Sequence, residues 1–294
     1  MLYLIGSIVL TSYLTLSFKA VERFKIPLLQ AIVFNYVFCV VTGSVVNGSF
    51  PINGDTPGQP WAPWAALMGT IFFTLFNVIG FTTQKIGVAV ASVANKLSLV
   101  IPFVASLYLY NEPSTALKIA GVVLALVAVF FTCLPSRKGE TPAHQHLSRA
   151  LLVGLPMIIF MGSGILDTMI KYVEHSYLNE ANNNDYLITA FTAAATVGLL
   201  TLTFLLATGR QKFNGRSIIA GLLIGVPNYF SIWCLVHVLK QYQGNSSAII
   251  PINNMGIVLF SAVAAWVLFK EQLTTINWLG IVLALGAIAL IAFG

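Results

Sequence analysis

The sequence predicts an all-α integral membrane protein of ten transmembrane helices, arranged as two inverted five-helix repeats around a central cavity. Three observations carry this expectation. Of 294 residues, 57% are hydrophobic and only 8% charged, where an average soluble domain has about 25% charged residues; the mean hydropathy is +0.87. Apolar stretches of membrane-span length recur from end to end, mostly with short polar connections. Two stretches 159 residues apart repeat one another without a gap.

The spans follow in order. A helix crossing the bilayer needs roughly 17–25 mostly apolar residues, and ten stretches qualify: 2–18, 27–45, 62–82, 88–110, 115–134, 149–171, 185–208, 216–239, 246–269 and 275–293. Met1-Leu2-Tyr3 lacks the basic start of a removable leader, so the first stretch reads as a retained span. Each is long enough to be a helix, which satisfies its own backbone groups in lipid. Barrel strands would be about 10 residues long with alternating polarity, a pattern not seen here.

The repeat is read from "NEPSTALKIAGVVLALVAV" (111–129) against "KEQLTTINWLGIVLALGAI" (270–288), which aligns Glu112 with Glu271 and Gly121 with Gly280. Six of nine residues agree between GVVLALVAV and GIVLALGAI. "KAVER" (19–23) and "KYVEH" (171–175) match in the same order. The expected organisation is therefore a first five-helix repeat over 1–134, a linker over 135–148, and a second repeat over 149–294. A unit with an odd number of spans enters the membrane the other way round at its second copy, the inverted-repeat plan of many secondary transporters.

Loop charge gives an orientation. Connections after spans 1, 3, 5, 7 and 9 hold eleven basic residues, and those on the other side hold three, Lys118, Lys171 and Lys240. By the positive-inside rule the odd connections are cytoplasmic and both termini extracytoplasmic, in a multi-pass cell (inner) membrane protein.

The chain as a whole resembles the drug/metabolite transporter superfamily, of the ten-helix EamA-domain type. The residues that carry the resemblance are Asn111-Glu112 and Lys270-Glu271, each followed by a tight hairpin and a Gly-rich span from about Gly121 and Gly280. The resemblance implies a secondary carrier of small metabolites whose helices 5 and 10 lie outside the central cavity.

Helical periodicity sorts polar residues onto faces. Thr70, Thr74, Asn77 and Phe81 share one face of span 3; Ser92, Asn95 and Lys96 share one in span 4; Thr189, Thr192 and Thr196 share one in span 7. Span 8 carries Asn228, Tyr229, Ser231, Trp233 and His237, span 9 carries Asn253 and Asn254, span 2 carries Asn35, and span 6 carries Ser163 and Asp167. Such residues either join helices by hydrogen bonds or face a shared polar cavity. The expected substrate contacts are Lys96, Asn95, Ser92, Asn77, Asn228, Asn253, Asn254 and Asn35, with Tyr229 and Trp233 against an apolar part. Asp167 is the coupling candidate. Pro102 and Pro251 each remove a backbone hydrogen bond and mark hinges. Glu112 and Glu271 precede spans 5 and 10, where a carboxylate favours the positive end of the helix that follows.

Lys96 lies about 12 Å of helical rise inside its span. From there a lysine can snorkel to the interface. On a polar face, however, an intramembrane charge normally marks a function. With Asp167 expected near the far end of span 6, Lys96 reads as an unpaired cation suited to an anionic or carboxylate-bearing substrate. A proton or cation is the candidate coupling partner; no cofactor, metal or nucleic acid is expected. Cys39, Cys133 and Cys234 sit in separate apolar segments without metal-binding spacing and read as small buried side chains. No HExxH, GxSxG or phosphate-binding loop points to an enzyme. The remaining alternative is a non-transporting membrane scaffold or sensor.

Overall fold

The computed structural model describes residues 2–109, 115–133, 148–179, 182–241, 246–271 and 273–293. Asn111, Glu112, almost all of the linker and the side chain of Pro251 lie outside the described residues. The elements are α1 (Leu2–Arg23), α2 (Leu28–Asn47), α3 (Ala62–Lys85), α4 (Val88–Leu97), α5 (Val100–Leu109), α6 (Ala116–Cys133), α7 (Arg149–Tyr177), α8 (Asn183–Ala207), α9 (Arg216–Gln241), α10 (Ser246–Phe269) and α11 (Thr275–Phe293). A 3-10 turn, Thr56–Gly58, precedes α3, and the described residues contain no strand. Among them, eight helical stretches are long and apolar enough to cross a membrane. The remaining apolar helices, α6 and α11, run for 18 and 19 residues.

One expected span differs. The stretch 88–110 is not one continuous helix but α4 and α5, separated by a turn at Ser98-Leu99. Pro102 explains the position. In an unbroken helix the Ser98 carbonyl would receive the amide of residue 102, which proline lacks. The carbonyl takes the Ile101 amide instead, at 2.9 Å, a tighter i to i−3 bond. The Ser98 hydroxyl donates to the Asn95 carbonyl and satisfies another freed acceptor. The interruption thus falls three to four residues upstream of Pro102, at the acceptor that the proline leaves without its usual donor.

The helices form two compact units, each drawing on both halves of the chain. One comprises Met1–Lys19, Val78–Ile165 and Ser231–Gly294; the other comprises Ala20–Asn77 and Leu166–Phe230. In the first unit α6 packs along α11 through small residues, with Ala125, Ala128, Ala284 and Ala287 all fully buried. Gly121 lies so close to α11 that a Cβ there would meet Ile291 at 2.8 Å. Here α4 packs on α10, and α1 runs beside α10, with the Ser12 hydroxyl donating to the Ile257 carbonyl.

In the second unit α2 packs along α8. A cluster of Tyr36, Phe72, Phe76 and Phe191 fills the space beside them, and the Tyr36 hydroxyl donates to the Phe72 carbonyl at 3.0 Å. α9 approaches α2 through Gly221 and Gly225, where added Cβ atoms would lie 2.2 Å from Phe34 Cβ and 2.5 Å from the Asn35 carbonyl oxygen. Small residues permit this approach, as is usual between helices in lipid.

Contacts between helix ends obey a parity within each unit. Gln30, after α1, donates to the Lys212 carbonyl at 2.9 Å and accepts the Asn214 amide at 3.0 Å, both after α8. Lys19 at the end of α1 donates to the Gln84 carbonyl at the end of α3. At the opposite ends, Asn184 bonds Asn47, and Trp61 and Trp64 stack edge-on against Tyr186 and Tyr172. Counting α4 and α5 as one span, each contact joins two odd connections or two even ones, as an alternating path through a bilayer requires.

Candidate functional site

α4 is the element of most chemical interest. Its sequence VAVASVANKL places Ser92, Asn95 and Lys96 at i, i+3 and i+4, hence on one face. Ser92 is 3% exposed, and its hydroxyl has no hydrogen-bond partner among the described residues. Asn95 and Lys96 are half-buried, immediately before the turn at Ser98-Leu99. On α10, packed against α4, Asn253 is 3% exposed and its Oδ1 is likewise unpartnered. Asn254 beside it is half-buried, and Pro251 lies one turn upstream within the helix. A buried polar group without a partner costs about 1–3 kcal/mol, so three on one packed helix pair, the Ser261 hydroxyl further along α10 included, call for an explanation.

Lys96 does not stand free. It interacts with a neighbouring group, as does Asp167, so the expectation of an unpaired cation is corrected. What remains is a half-buried cation on the same α4 face as the orphaned Ser92 hydroxyl.

Trp233 belongs to the same unit, on α9. Its ring lies over His237, with centroids 3.7 Å apart, and Tyr3 from α1 meets both edge-on or tilted, at 5.6 and 5.4 Å. The His237 Nδ1 lies 2.8 Å from the Trp233 carbonyl. Tyr3 was not singled out from the sequence, because nothing in a short apolar start marks one tyrosine over another.

The second unit holds the other expected contacts. Asn35 and Asn228 meet each other: the Asn228 amide donates to Asn35 Oδ1 at 3.1 Å in the α2–α9 seam, with Cys39 donating to the Gly225 carbonyl at 3.4 Å. Tyr229 is buried in contact range of Gly43. Asn77 donates to the Phe73 carbonyl of its own helix at 2.8 Å. Thr70, Thr74, Thr192 and Thr196 likewise donate to carbonyls four residues back, whereas the Thr189 hydroxyl of the span 7 stripe has no hydrogen-bond partner among the described residues.

The most displaced expectation is Glu271. It does not cap α11, the helix that follows it; Thr274 and Asn277 do so by exchanging side-chain and backbone bonds at 3.0 and 3.2 Å. Glu271 Oε1 instead accepts the Val88 amide at 2.9 Å, at the start of α4. Burial pushes its carboxyl above the usual range, opposed by the Val88 and Ala89 amides and by Lys19.

The EamA-like transporter family profile matches residues 151–293. The second half is similar to an EamA-like transporter domain. This agrees with the expected drug/metabolite transporter superfamily, whose EamA-like members are membrane transporters of small molecules, not enzymes. An uncharacterized protein of Haemophilus influenzae is 24% identical over 295 residues, covering 97% of this chain and 95% of its own. A crystal structure superposes with a TM-score of 0.62 at 15% identity, covering 98% of this chain and 94% of the other. That likeness shows a shared fold. With its apolar helices and the match over 151–293, the chain is a multi-pass membrane protein.

Proposed function

We propose that this EamA-like protein is a secondary active transporter of the inner membrane, working by alternating access on a small polar metabolite that bears a carboxylate or another anionic group. The observation that carries the reading is the pair of buried, unpartnered acceptors, Ser92 Oγ on α4 and Asn253 Oδ1 on α10, on the helix pair that also holds Lys96. A ligand with hydroxyl or amine donors would satisfy the acceptors, and its anionic group would meet the ammonium. The turn at Ser98-Leu99 interrupts a membrane-span stretch next to these groups, and discontinuous helices recur at transporter binding sites.

The ten-helix inverted-repeat plan belongs to the same proposal. It is supported by three extensive helix pairings, α2 with α8, α4 with α10, and α6 with α11. Each joins a helix to its counterpart in the other half, and the 159-residue offset that aligns Gly121 of α6 with Gly280 of α11 also aligns Asn95 of α4 with Asn254 of α10. On this reading the first repeat is 1–134, the second 149–294, and the odd connections, richer in Lys and Arg, are cytoplasmic.

The test is saturable uptake of labelled metabolites by sealed proteoliposomes, with candidates first screened by thermal stabilisation of the purified protein. Lys96→Met should weaken an anionic substrate by about 30- to 800-fold, equivalent to about 2–4 kcal/mol. Lys96→Arg should recover part of it, the guanidinium being larger and forked. Uptake by Lys96→Met at the wild-type rate would leave Lys96 as a snorkelling side chain, and absence of saturable uptake of any anion would favour the scaffold alternative.

A further inference from the structure

One buried side chain clamps two connections of the second unit together. Gln30, 0% exposed in the first turn of α2, donates to the Lys212 carbonyl at 2.9 Å and accepts the Asn214 amide at 3.0 Å. These bonds hold the α8–α9 connection against the start of α2, beside the α1–α2 connection that leads into it. Phe213 adds to the contact, its ring centroid 6.2 Å from that of Phe34 on α2.

The clamp gathers cations. Arg23 and Lys25 lie at the α1–α2 connection and Arg210, Lys212 and Arg216 at the α8–α9 connection, and all five are exposed. None of their side chains makes an ion pair or hydrogen bond with another described residue. Across 20–27 and 208–216 the only carboxylate in the sequence is Glu22, which is half-buried. Each connection also exposes a phenylalanine, Phe24 at 67% and Phe213 at 54%. Apolar rings among basic residues at the ends of membrane helices suit the headgroup boundary, where the ring meets acyl chain and the cation meets phosphate.

The turn at Lys25 is a second sign. α1 and α8 end in the same closure. The Ile26 amide reaches back to the Val21 carbonyl and the Lys25 amide to that of Glu22; the Arg210 amide reaches back to Leu205 and the Gly209 amide to Leu206. In α8 the left-handed position is Gly209, at φ 68°, but in α1 it is Lys25, at φ 54°. Glycine takes that backbone freely, whereas an L side chain is strained in it. The stability of the turn therefore does not account for the lysine.

We infer that the two clamped connections form a binding site for the headgroup of an anionic phospholipid, with its phosphodiester among Lys25, Arg210, Lys212 and Arg216. Its place in the cytoplasmic leaflet rests on the orientation proposed above; the headgroup chemistry does not.

The test is thermal unfolding of the full-length protein, freed of lipid in a neutral detergent and titrated with phosphatidylglycerol or phosphatidylcholine. Phosphatidylglycerol should stabilise at concentrations at least about tenfold lower. Lys25→Gly, Lys212→Gln and Arg216→Gln should each weaken it by about fivefold, the factor that about 1 kcal/mol per cation gives. Without lipid, Lys25→Gly should melt at the wild-type temperature or above it, which separates the ammonium's role from that of the turn. Lys270→Gln, at an exposed cation of the first unit, should leave the phosphatidylglycerol titration unchanged. Equal stabilisation by the two lipids overturns the proposal. So does a loss in Lys270→Gln as large as in Lys212→Gln, the mark of diffuse surface charge. Inorganic phosphate that displaces phosphatidylglycerol at matched concentration would make this a soluble-anion site and also overturn it. The titration needs neither sidedness nor uptake, so failure of the transport reading leaves the lipid site to be judged by itself.

Discussion

Asn228 donates to Asn35 at 3.1 Å across the seam between α2 and α9, with Asn35 fully buried and Asn228 5% exposed. The two residues are 193 positions apart. Cys39, one turn from Asn35 and fully buried, closes the same seam. Interhelical bonds of this kind contribute about 0.6–2 kcal/mol in membranes. Asn228→Leu should therefore destabilise the protein by about 1–3 kcal/mol, since Asn35 Oδ1 loses this buried donor. Adding Asn35→Leu should cost less than the sum of the two single changes. Cys39 supplies the readout. With the other cysteines replaced, its rate of labelling by a small thiol reagent reports opening of the seam, and additive effects in the cycle would separate the two asparagines energetically.

Glycine packing makes an opposed pair of expectations. A Cβ at Gly225 meets the backbone oxygen of Asn35 at 2.5 Å, whereas one at Gly154, inside α7, meets nothing within 4 Å. Gly225→Ala should lower stability by about 1–3 kcal/mol through overpacking. Gly154→Ala should raise it by about 0.5–1 kcal/mol, alanine being the better helix former. Thermal unfolding in detergent checks both, and the same sign for the two would contradict the seam geometry.

Sidedness has its own test. On a cysteine-free background, Asp55→Cys, in the exposed connection before α3, should react with an impermeant maleimide on intact cells. Lys212→Cys, in the connection after α8, should react only after permeabilisation. Both positions are exposed, so burial does not confuse the comparison. Labelling of position 212 but not 55 would invert the orientation and leave the helix parity as it is.

What could be read in advance has a physical boundary. Most span positions and the polar face of α4 are legible because hydrophobic length and the 3.6-residue period are local properties of sequence. Pairings are not local. Asn35 and Asn228 were each visible as polar residues in apolar spans, but nothing along the chain says that they bond each other rather than a substrate. Glu271 stands four residues before α11, which made it look like a cap for that helix; its actual acceptor role serves Val88, 183 positions away. The break in span 4 was visible through Pro102, but its site depends on which carbonyl the missing amide leaves free, and on Ser98 being there to close the turn.

Ser92 offers the sharpest separation of fold from function. Its hydroxyl is buried without a partner, and so is that of Ser261, eight residues beyond Asn253 on α10 and fully buried. Replacing either by alanine removes a desolvated polar atom at the expense of very little volume. Both Ser92→Ala and Ser261→Ala should hold or raise stability, by up to about 1 kcal/mol. Only Ser92 lies on the face with Asn95 and Lys96, so only Ser92→Ala should weaken the substrate. A single neutral hydrogen bond contributes about 0.5–1.5 kcal/mol, or roughly 2- to 13-fold in affinity. The measurement pairs a melting curve with a saturation curve for each variant. Equal affinities in Ser92→Ala and Ser261→Ala would mean that the orphaned hydroxyl on α4 is a packing defect, and the site would have to be sought away from the α4–α10 pair. A selective loss in Ser92→Ala, with its melting temperature unchanged or higher, would tie that orphaned atom to the ligand, because a purely structural serine that stabilises on removal has no reason to alter binding.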